Sequence, residues 1–558
     1  MVPVYDTKDY APGFDPHSWS KRDLRFLAPF ATNPNGLVSV LRNLPPEIVG
    51  ALCSRASRAK GSLLEVLLKE YIYPIVDGED SELAEELNVT VDFLKGHGFK
   101  KILNNHRAQK FYAKWLSQYG DDSIAQMTGT HVILWGISQV AMKFVEDQRI
   151  GLEPIEKSTR YVNFGDKVNG HYLYYTPTPD LKRFSLLNKY TATMDHLFDT
   201  YVELLVPLQR WLQENFNEKP SILEKKAFDT LRGLLPMSTL GQVALRGNAQ
   251  SFEYLLNRTA RHPLGELRWL SGDLKAELDQ EIPSLLLRVQ DEKSINYQEY
   301  LSKRHDLVRE FATQIKADKI NPSNSAGVKL VEWDPEAEEK VLCGIFFSQS
   351  HVEWKEALQI VRSLSEKEKK ELLERYLAGR PARWYKVGRA LENAYLRFEI
   401  VVDIGSYRDL HRHRMMTQDR QRFSTHHGYD LPSEIKESGL IGPYAAALDD
   451  ARELFEEIEK LDPGLAQYVV PLAYRMRFYQ WQNFRQFFWE TELRTISQGH
   501  PDYRSIEQEK YKLIAEKYPL LAPYVLIDMT EYAISRRGTE EKIKQKEQQI
   551  VTRLKGKN

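Results

Sequence analysis

A chain of 558 residues is too long for one ordinary hydrophobic core, so two or more domains are expected. Its apolar fraction of 42% and charged fraction of 28% are those of a soluble globular protein, and its formal net charge of -1 excludes an overall polycation of the kind that binds nucleic acid. Two cysteines, Cys53 and Cys343, exclude a disulfide framework or a cysteine metal cluster and fit a reducing cytoplasm. No apolar run approaches the length needed to span a bilayer, and the N-terminus has no apolar signal core, so a cytoplasmic protein without a membrane partner is expected.

Residues 1–35, rich in Pro, Asp and Asn, read as an extension packed on something else. From Gly36 the pattern turns helical. "EIVGALCSRASRAKGSLLEVLLKEYI" (47–72) places apolar residues near helical spacing, and Tyr112 to Val145 is another long apolar-periodic stretch. "HYLYYTP" (171–177) alternates faces as a short strand does. Leu181 to Phe216 and Ile222 to Leu287 read as helices, the second interrupted at Pro236. "IKADKINPSNSAGVKLVEWDPEAEEK" (315–340) collects Asn, Pro, Ser and Gly and places a domain join near 320–335. "KVLCGIFFS" (340–348) reads as a strand, followed by helices. The tail "RGTEEKIKQKEQQIVTRLKGKN" (537–558) reads as a solvated, charged helix or frayed end.

A faint signature occurs twice. The first copy, Ser138 to Tyr161, ends "EDQRIGLEPIEKSTRY"; the second, Asp403 to Ser424, contains "HRHRMMTQDRQRFS". The second keeps the triplet Arg412-His413-Arg414 where the first has Asp147-Gln148-Arg149. The first keeps Ser158-Thr159-Arg160-Tyr161 where the second has Arg422-Phe423-Ser424-Thr425. The repeat extends further. Pro236 is followed twelve residues on by Asn248, then by Arg258 and Arg268; Pro471 is followed twelve residues on by Asn483, then by Arg494 and Arg504. Two half-intact copies suggest one site assembled from both halves, 36–320 and 335–558.

In these residues the chain resembles the flavin-dependent thymidylate synthases, as a tandem fusion of two copies. That family carries an Arg-His-Arg triplet, seven residues, then a Ser; upstream lies a Gly-His-x-Ser segment, and downstream an Arg-x-x-x-Pro step and an Asn-x-Arg helix ending in Arg. The departures are specific. The first half has "GDDS" at Gly120 to Ser123, and eight residues separate Arg149 from Ser158. In the second half Arg422 fills the Ser slot, Gln467 replaces the Arg before Pro471, and Asp409 stands where the family has Gln.

The resemblance implies an α+β fold of two related domains, each a small sheet packed with long helices, and a homodimer, since the single-copy enzyme is built of four repeats. It implies methylation of dUMP to dTMP with methylenetetrahydrofolate as one-carbon donor, FAD as cofactor and NADPH as reductant. The losses are complementary: Arg412, His413, Arg414 and Arg494 survive in the second half, and Glu156, Ser158, Arg160 and Arg232 in the first. The resemblance gives Arg494 and Ser158 catalytic roles. It gives the nucleotide Arg160, Arg232, Arg412 and Glu156, and the flavin Arg412, His413, Arg414, Asn483, Arg485 and Ser123. Arginine suits these roles because its planar, permanently charged fork donates paired hydrogen bonds to phosphate. Arg494 beside the pyrimidine imide would stabilise the anion formed as N3 loses its proton, so that C5 attacks without a covalent enzyme adduct and neither cysteine is required. A homologue that binds flavin or nucleotide without catalysis, and a flavoenzyme acting on another pyrimidine, remain as alternative readings.

Each feature also has an ordinary reading. The Arg412 triplet sits in "RDLHRHRMMTQDRQR", which suits a salt-bridged surface face. Ser158 suits a helix cap. Arg494, four residues after Glu490, suits a helical ion pair. "FYQWQNFRQFFW" suits core packing. The His411/His413 and His426/His427 pairs lack partner ligands, so no metal is expected.

Overall fold

Two four-stranded antiparallel sheets organise the chain, and their strand orders are the same. The computed structural model describes residues 7–14, 18–96, 98–99, 103, 105–119, 122–315, 325–532, 545–546, 548–550 and 552–553. Strands β1 (Val38–Leu41), β2 (Gly129–Ser138), β3 (Leu152–Glu156) and β4 (Leu240–Asn248) form the first sheet in the order β1-β2-β4-β3. Strands β5 (Gly327–Trp333), β6 (Tyr395–Asp403), β7 (Thr417–Arg420) and β8 (Arg475–Asn483) form the second as β5-β6-β8-β7. The fold is α+β, with long helices packed on each sheet.

The chain divides into two compact units that do not follow the linear halves. Met1–Asn321 with Leu431–Leu472 form one; Pro322–Asp430 with the chain from Ala473 onward form the other. Backbone hydrogen bonds show why Leu431–Leu472 joins the first. Met237 N–H donates to the Val470 carbonyl at 2.8 Å, Ser238 N–H to Tyr468 at 2.9 Å, and Leu472 N–H to Leu235 at 3.0 Å. Within this unit helix Ile441–Glu459 packs along helix Leu187–Asn215. The N-terminal helices Lys21–Leu27 and Pro46–Ala56, and the helical run from Leu63 to Val76, share a core with Ile133 of β2 and Ala244 of β4, so the extension covers one face of the first sheet.

In the second unit alternation along β6 and β8 sends Leu396, Phe398 and Ile400, with Met476 and Phe478, to the helical side. Gln480 shares that buried face and is satisfied there. Lys510 Nζ, in helix Pro501–Lys517, donates to Gln480 at 2.9 Å, to Glu490 at 3.1 Å and to Glu507 at 2.9 Å. A buried ammonium with three acceptors is a compensated charge.

Several expected elements change type. "KVLCGIFFS" lies in helix Ala337–Phe347, with Cys343 buried on its inner side; a short apolar run has no period that separates strand from helix. Tyr112 to Val145 contains β2, and Ile222 to Leu287 contains β4, because strands buried on both faces lose the alternation that would mark them. "HYLYYTP" makes only isolated bridges, at His171 and Tyr174. The segment read as a join contains β5, while 316–324 and most of the tail 537–558 lie outside the described residues. Among the described residues no helix is long and apolar enough to cross a membrane.

Glu266 is the most consequential buried carboxyl of the first unit. It accepts from Ser138 N–H at 2.7 Å, Ser138 Oγ–H at 2.6 Å and Tyr468 Oη–H at 2.8 Å. Burial outweighs those bonds and raises its pKa to about 7. A raised carboxyl pKa contributes stability that is present below the unfolded value and lost as pH rises toward 7. Wild-type protein should therefore lose more thermal stability between pH 5 and pH 8 than Glu266→Gln; parallel melting curves for the two would contradict this.

Candidate functional site

In the first unit the residues after β3 turn back on themselves. Lys157 N–H donates to the Gln242 carbonyl at 2.7 Å and Ser158 N–H to Ser57 at 2.9 Å. Ser158 caps no helix; its Oγ accepts from the Arg160 N–H at 3.3 Å. Arg160 is buried. Its Nε lies 3.0 Å from both Asp229 oxygens and its Nη2 2.9 Å from Oδ2. Arg232, at the C-terminal end of helix Pro220–Leu231, approaches the same carboxylate, with Nε 3.4 Å from Oδ1. Arg160 and Arg232 are thus brought together, as expected, around an Asp that sequence reasoning missed. Two cations flank one anion, and among the described residues the buried Arg232 Nη2 has no hydrogen-bond partner. Glu156 turns elsewhere: it accepts from buried Lys143 at 3.1 Å, which also donates to Glu146 at 2.6 Å. Ser123 is exposed at the start of the short helix Ser123–Gln126, and the neighbouring Gly120 and Asp121 lie outside the described residues.

In the second unit Asp403 ends β6 and caps helix Ile404–Leu410, accepting from Ser406 N–H at 2.8 Å. The Arg412 triplet follows directly. Arg412 is exposed and pairs with Asp409. His413 is buried, and Arg494 Nε donates to its Nε2 at 2.7 Å. Arginine Nε is always a donor, so His413 Nε2 is the acceptor and the ring is neutral, while its Nδ1 lies 3.3 Å from the Gln486 side-chain nitrogen Nε2. Burial first, then the Arg494 charge, hold the His413 pKa well below its ordinary value. Arg494 ends helix Phe484–Arg494 with its Nη1 3.8 Å from Asp409 Oδ1. It does not pair with Glu490, which binds Lys510. Burial, and then Arg412, lower the Arg494 pKa. Arg414 is half-buried, and Arg422 is exposed. The expected set Arg412, His413 and Arg494 is therefore one bonded cluster around Asp409.

The N-terminal turns of the same helix line a cleft of about 340 Å³. Asn483 caps the helix, accepting from Gln486 N–H at 2.9 Å, and Arg485 pairs with Glu392 at 2.5 Å. Arg380, Arg383 and Lys386 converge on the cleft, and all three escaped the sequence reading; the run "GRPARWYK" (379–386) ahead of β6 was the available signal. Arg380 Nη2 holds both Glu492 oxygens, at 3.0 and 2.8 Å. Lys386 Nζ stands 2.8 Å from the Trp489 ring centroid, and burial, with Arg383, Arg485 and Arg380 adding to it, lowers its pKa against the pull of Glu492. Four cations face two carboxylates, Glu392 and Glu492, along one side of this helix. Such a cleft suits a phosphorylated ligand, with an indole beside it for a planar ring.

Two like-ordered antiparallel sheets, each with its own arginine cluster, define an α+β protein of two related domains. The thymidylate synthase complementing protein model matches residues 80–284 and 329–520, one segment for each sheet. Three relatives carry the name UPF0159 protein. That of Chlamydia muridarum is 34% identical over 540 residues, 94% of this chain and 98% of its own. That of Chlamydia pneumoniae is 33% identical over 528 residues, 92% of this chain and 96% of its own. That of Thermoplasma acidophilum is 30% identical over 474 residues, 78% of this chain and 92% of its own. The chain belongs to the thymidylate synthase complementing protein family, and membership supports a flavin-dependent, thymidylate synthase-like role.

Removing the carboxylate shared by Arg160 and Arg232 takes away the anion between two buried guanidinium groups. Asp229→Ala should cost about 3–5 kcal/mol in urea unfolding. Added phosphate should restore part of that loss; a loss below about 1 kcal/mol would show that the pair is solvated and not buried.

Proposed function

We propose that the protein methylates dUMP to dTMP, taking the one-carbon unit from methylenetetrahydrofolate, with FAD bound and NADPH as the external reductant. The observation that carries this reading is the cationic cleft built on Asn483 and Arg485, whose donors suit the phosphates of a dinucleotide. Bound flavin, when reduced, supplies the hydride that completes the methyl group. The chain's own residues bind and polarise. Arg160 and Arg232 hold the substrate phosphate, where the unpartnered Arg232 Nη2 is an available donor. Arg494, its Nε fixed by neutral His413, presents its remaining N–H groups to the pyrimidine imide and stabilises the anion that forms as N3 loses its proton. Ser158 stands beside the substrate, with Glu156 held by Lys143 and acting only through that strand end, while Arg412, Arg414 and Ser123 complete the flavin contacts. Neither cysteine serves as nucleophile. Both are buried, and burial pushes the Cys53 thiol up to about 11. That the two surviving residue sets serve one reaction rests on their complementary losses in the sequence. By the same resemblance, two copies of the chain complete the assembly.

A second reading, a homologue that binds flavin or nucleotide without turnover, is favoured by Asp409, which pairs with Arg412 where the family has a neutral Gln. The two readings separate cleanly. Purified protein should be yellow with flavin and should release tritium from deoxyuridylate labelled at C5. Arg160→Ala and Arg412→Ala should each lower release about a hundredfold or more, and Arg422→Ala less than about threefold. Flavin without tritium release would select the second reading; colourless protein would remove the first and leave of the second only nucleotide binding. Equal losses in all three variants would end the division of labour between the repeats.

A further inference from the structure

A second cavity, of about 360 Å³, lies in the first unit between β2, β4 and the N-terminal helices, and none of the residues assigned above lines it. Its outer wall, Lys60 to Lys69, precedes residue 80 and so lies outside the family-matched segments. The inner wall is apolar and aromatic, with Trp135, Phe164, Leu173 and Leu240. Phe14 closes one side. It does so because the β-bulge between Trp135 and Ile137 puts Gly136 at φ +78°, where a Cβ would stand 2.4 Å from the Phe14 ring.

One charge enters this cavity without a counterion. Lys157, next to Glu156 but on the opposite face of the chain, is only 5% exposed. Its Nζ donates to the Lys60 carbonyl at 2.7 Å and to Gly61 at 3.1 Å, and lies 4.7 Å from the Trp135 ring centroid. An ammonium has three donors, so one remains. The other charged groups at the cavity are already paired: Lys60 with Asp166 at 2.9 Å and Lys69 with Glu65 at 3.1 Å. Among the described residues no carboxylate lies within ion-pair distance of Lys157. Burial pushes its pKa down to about 8, with Glu65 opposing. A buried, uncompensated ammonium against an indole is costly alone and favourable once an anion meets it.

We infer that this cavity is a second ligand site, for a small planar aromatic molecule bearing one anionic group, with Lys157 holding the anion and Trp135 and Phe164 flanking the ring. The size falls within the range of small-molecule pockets. Isothermal titration of the full chain with 1-naphthoate, against the neutral 1-naphthalenemethanol, tests the inference. One saturable naphthoate site per chain is expected, about tenfold or more tighter than the alcohol and weakened about tenfold in Lys157→Gln. No saturable binding, equal affinity for acid and alcohol, or unchanged affinity in the variant would each overturn it, leaving Lys157 as a clamp on the Lys60 and Gly61 carbonyls. If Lys157→Gln fails to fold, reductive methylation of wild-type protein decides. Naphthoate should protect Lys157 while exposed Lys367 is still labelled; identical Lys157 labelling with and without naphthoate would reject the site.

Discussion

The antiparallel pairing at the centre of each sheet is the constraint on which everything else rests. β2 runs against β4 from Gly129 opposite Asn248 to Ser138 opposite Leu240, and β6 against β8 from Tyr395 opposite Asn483 to Asp403 opposite Arg475. Both ends of each pair finish in a capping side chain. Ser138 and Asp403 launch the helices that lead to the triplet positions; Asn248 and Asn483 launch the helices that end in Thr259 and Arg494. Register therefore sets where His413 and Arg494 meet. A slip of one residue would exchange the two faces of the strand and expose Phe398 and Ile400 to water.

The same frame is finished differently in the two units. β2 carries a bulge at Gly136, and the N-terminal helices lie over the face that includes Ile133 and Ala244. The matching face of the second sheet carries Tyr395 stacked on Trp481 at 4.8 Å, with the Arg397 guanidinium 5.6 Å from the indole centroid, and both aromatic residues are exposed. One sheet thus gains a covering layer and a cavity beneath it, while the other keeps long amphipathic side chains whose charged ends stay in water.

Charge burial follows one rule throughout. Lys510 faces two carboxylates, Lys143 faces Glu146 and Glu156, and Arg160 shares Asp229 with Arg232. Where acids balance bases, the networks hold the structure together, and removing one partner is costly. Around Asp229 and in the cleft of Arg380, Arg383, Lys386 and Arg485, bases outnumber acids. That excess of cations, more than the presence of ion pairs, distinguishes these two places from the balanced networks.

Much of the site was legible in the one-dimensional spacing. The Pro, Asn and Arg series marked Asn248, Asn483 and Arg494, the half-lost signatures marked Arg160 and His413, and the family resemblance added Arg232 before Pro236. Asp229 was invisible, since nothing in "AFDTLRG" shows that its carboxylate lies between two arginines from different segments. Arg380, Arg383 and Lys386 read as one more basic run until packing turned them into a single cleft. β2 and β4 were absorbed into helical stretches because strands buried on both faces lose their alternation. What the sequence by itself determined is the family, the repeat and the spacing of the Pro, Asn and Arg positions. Only the tertiary structure decided that Leu431–Leu472 belongs with the first unit, which carboxylate neutralises which cation, and that Lys157 faces a cavity with no counterion among the described residues. Those outcomes depend on distances between segments far apart in the chain, and local propensity carries no record of them.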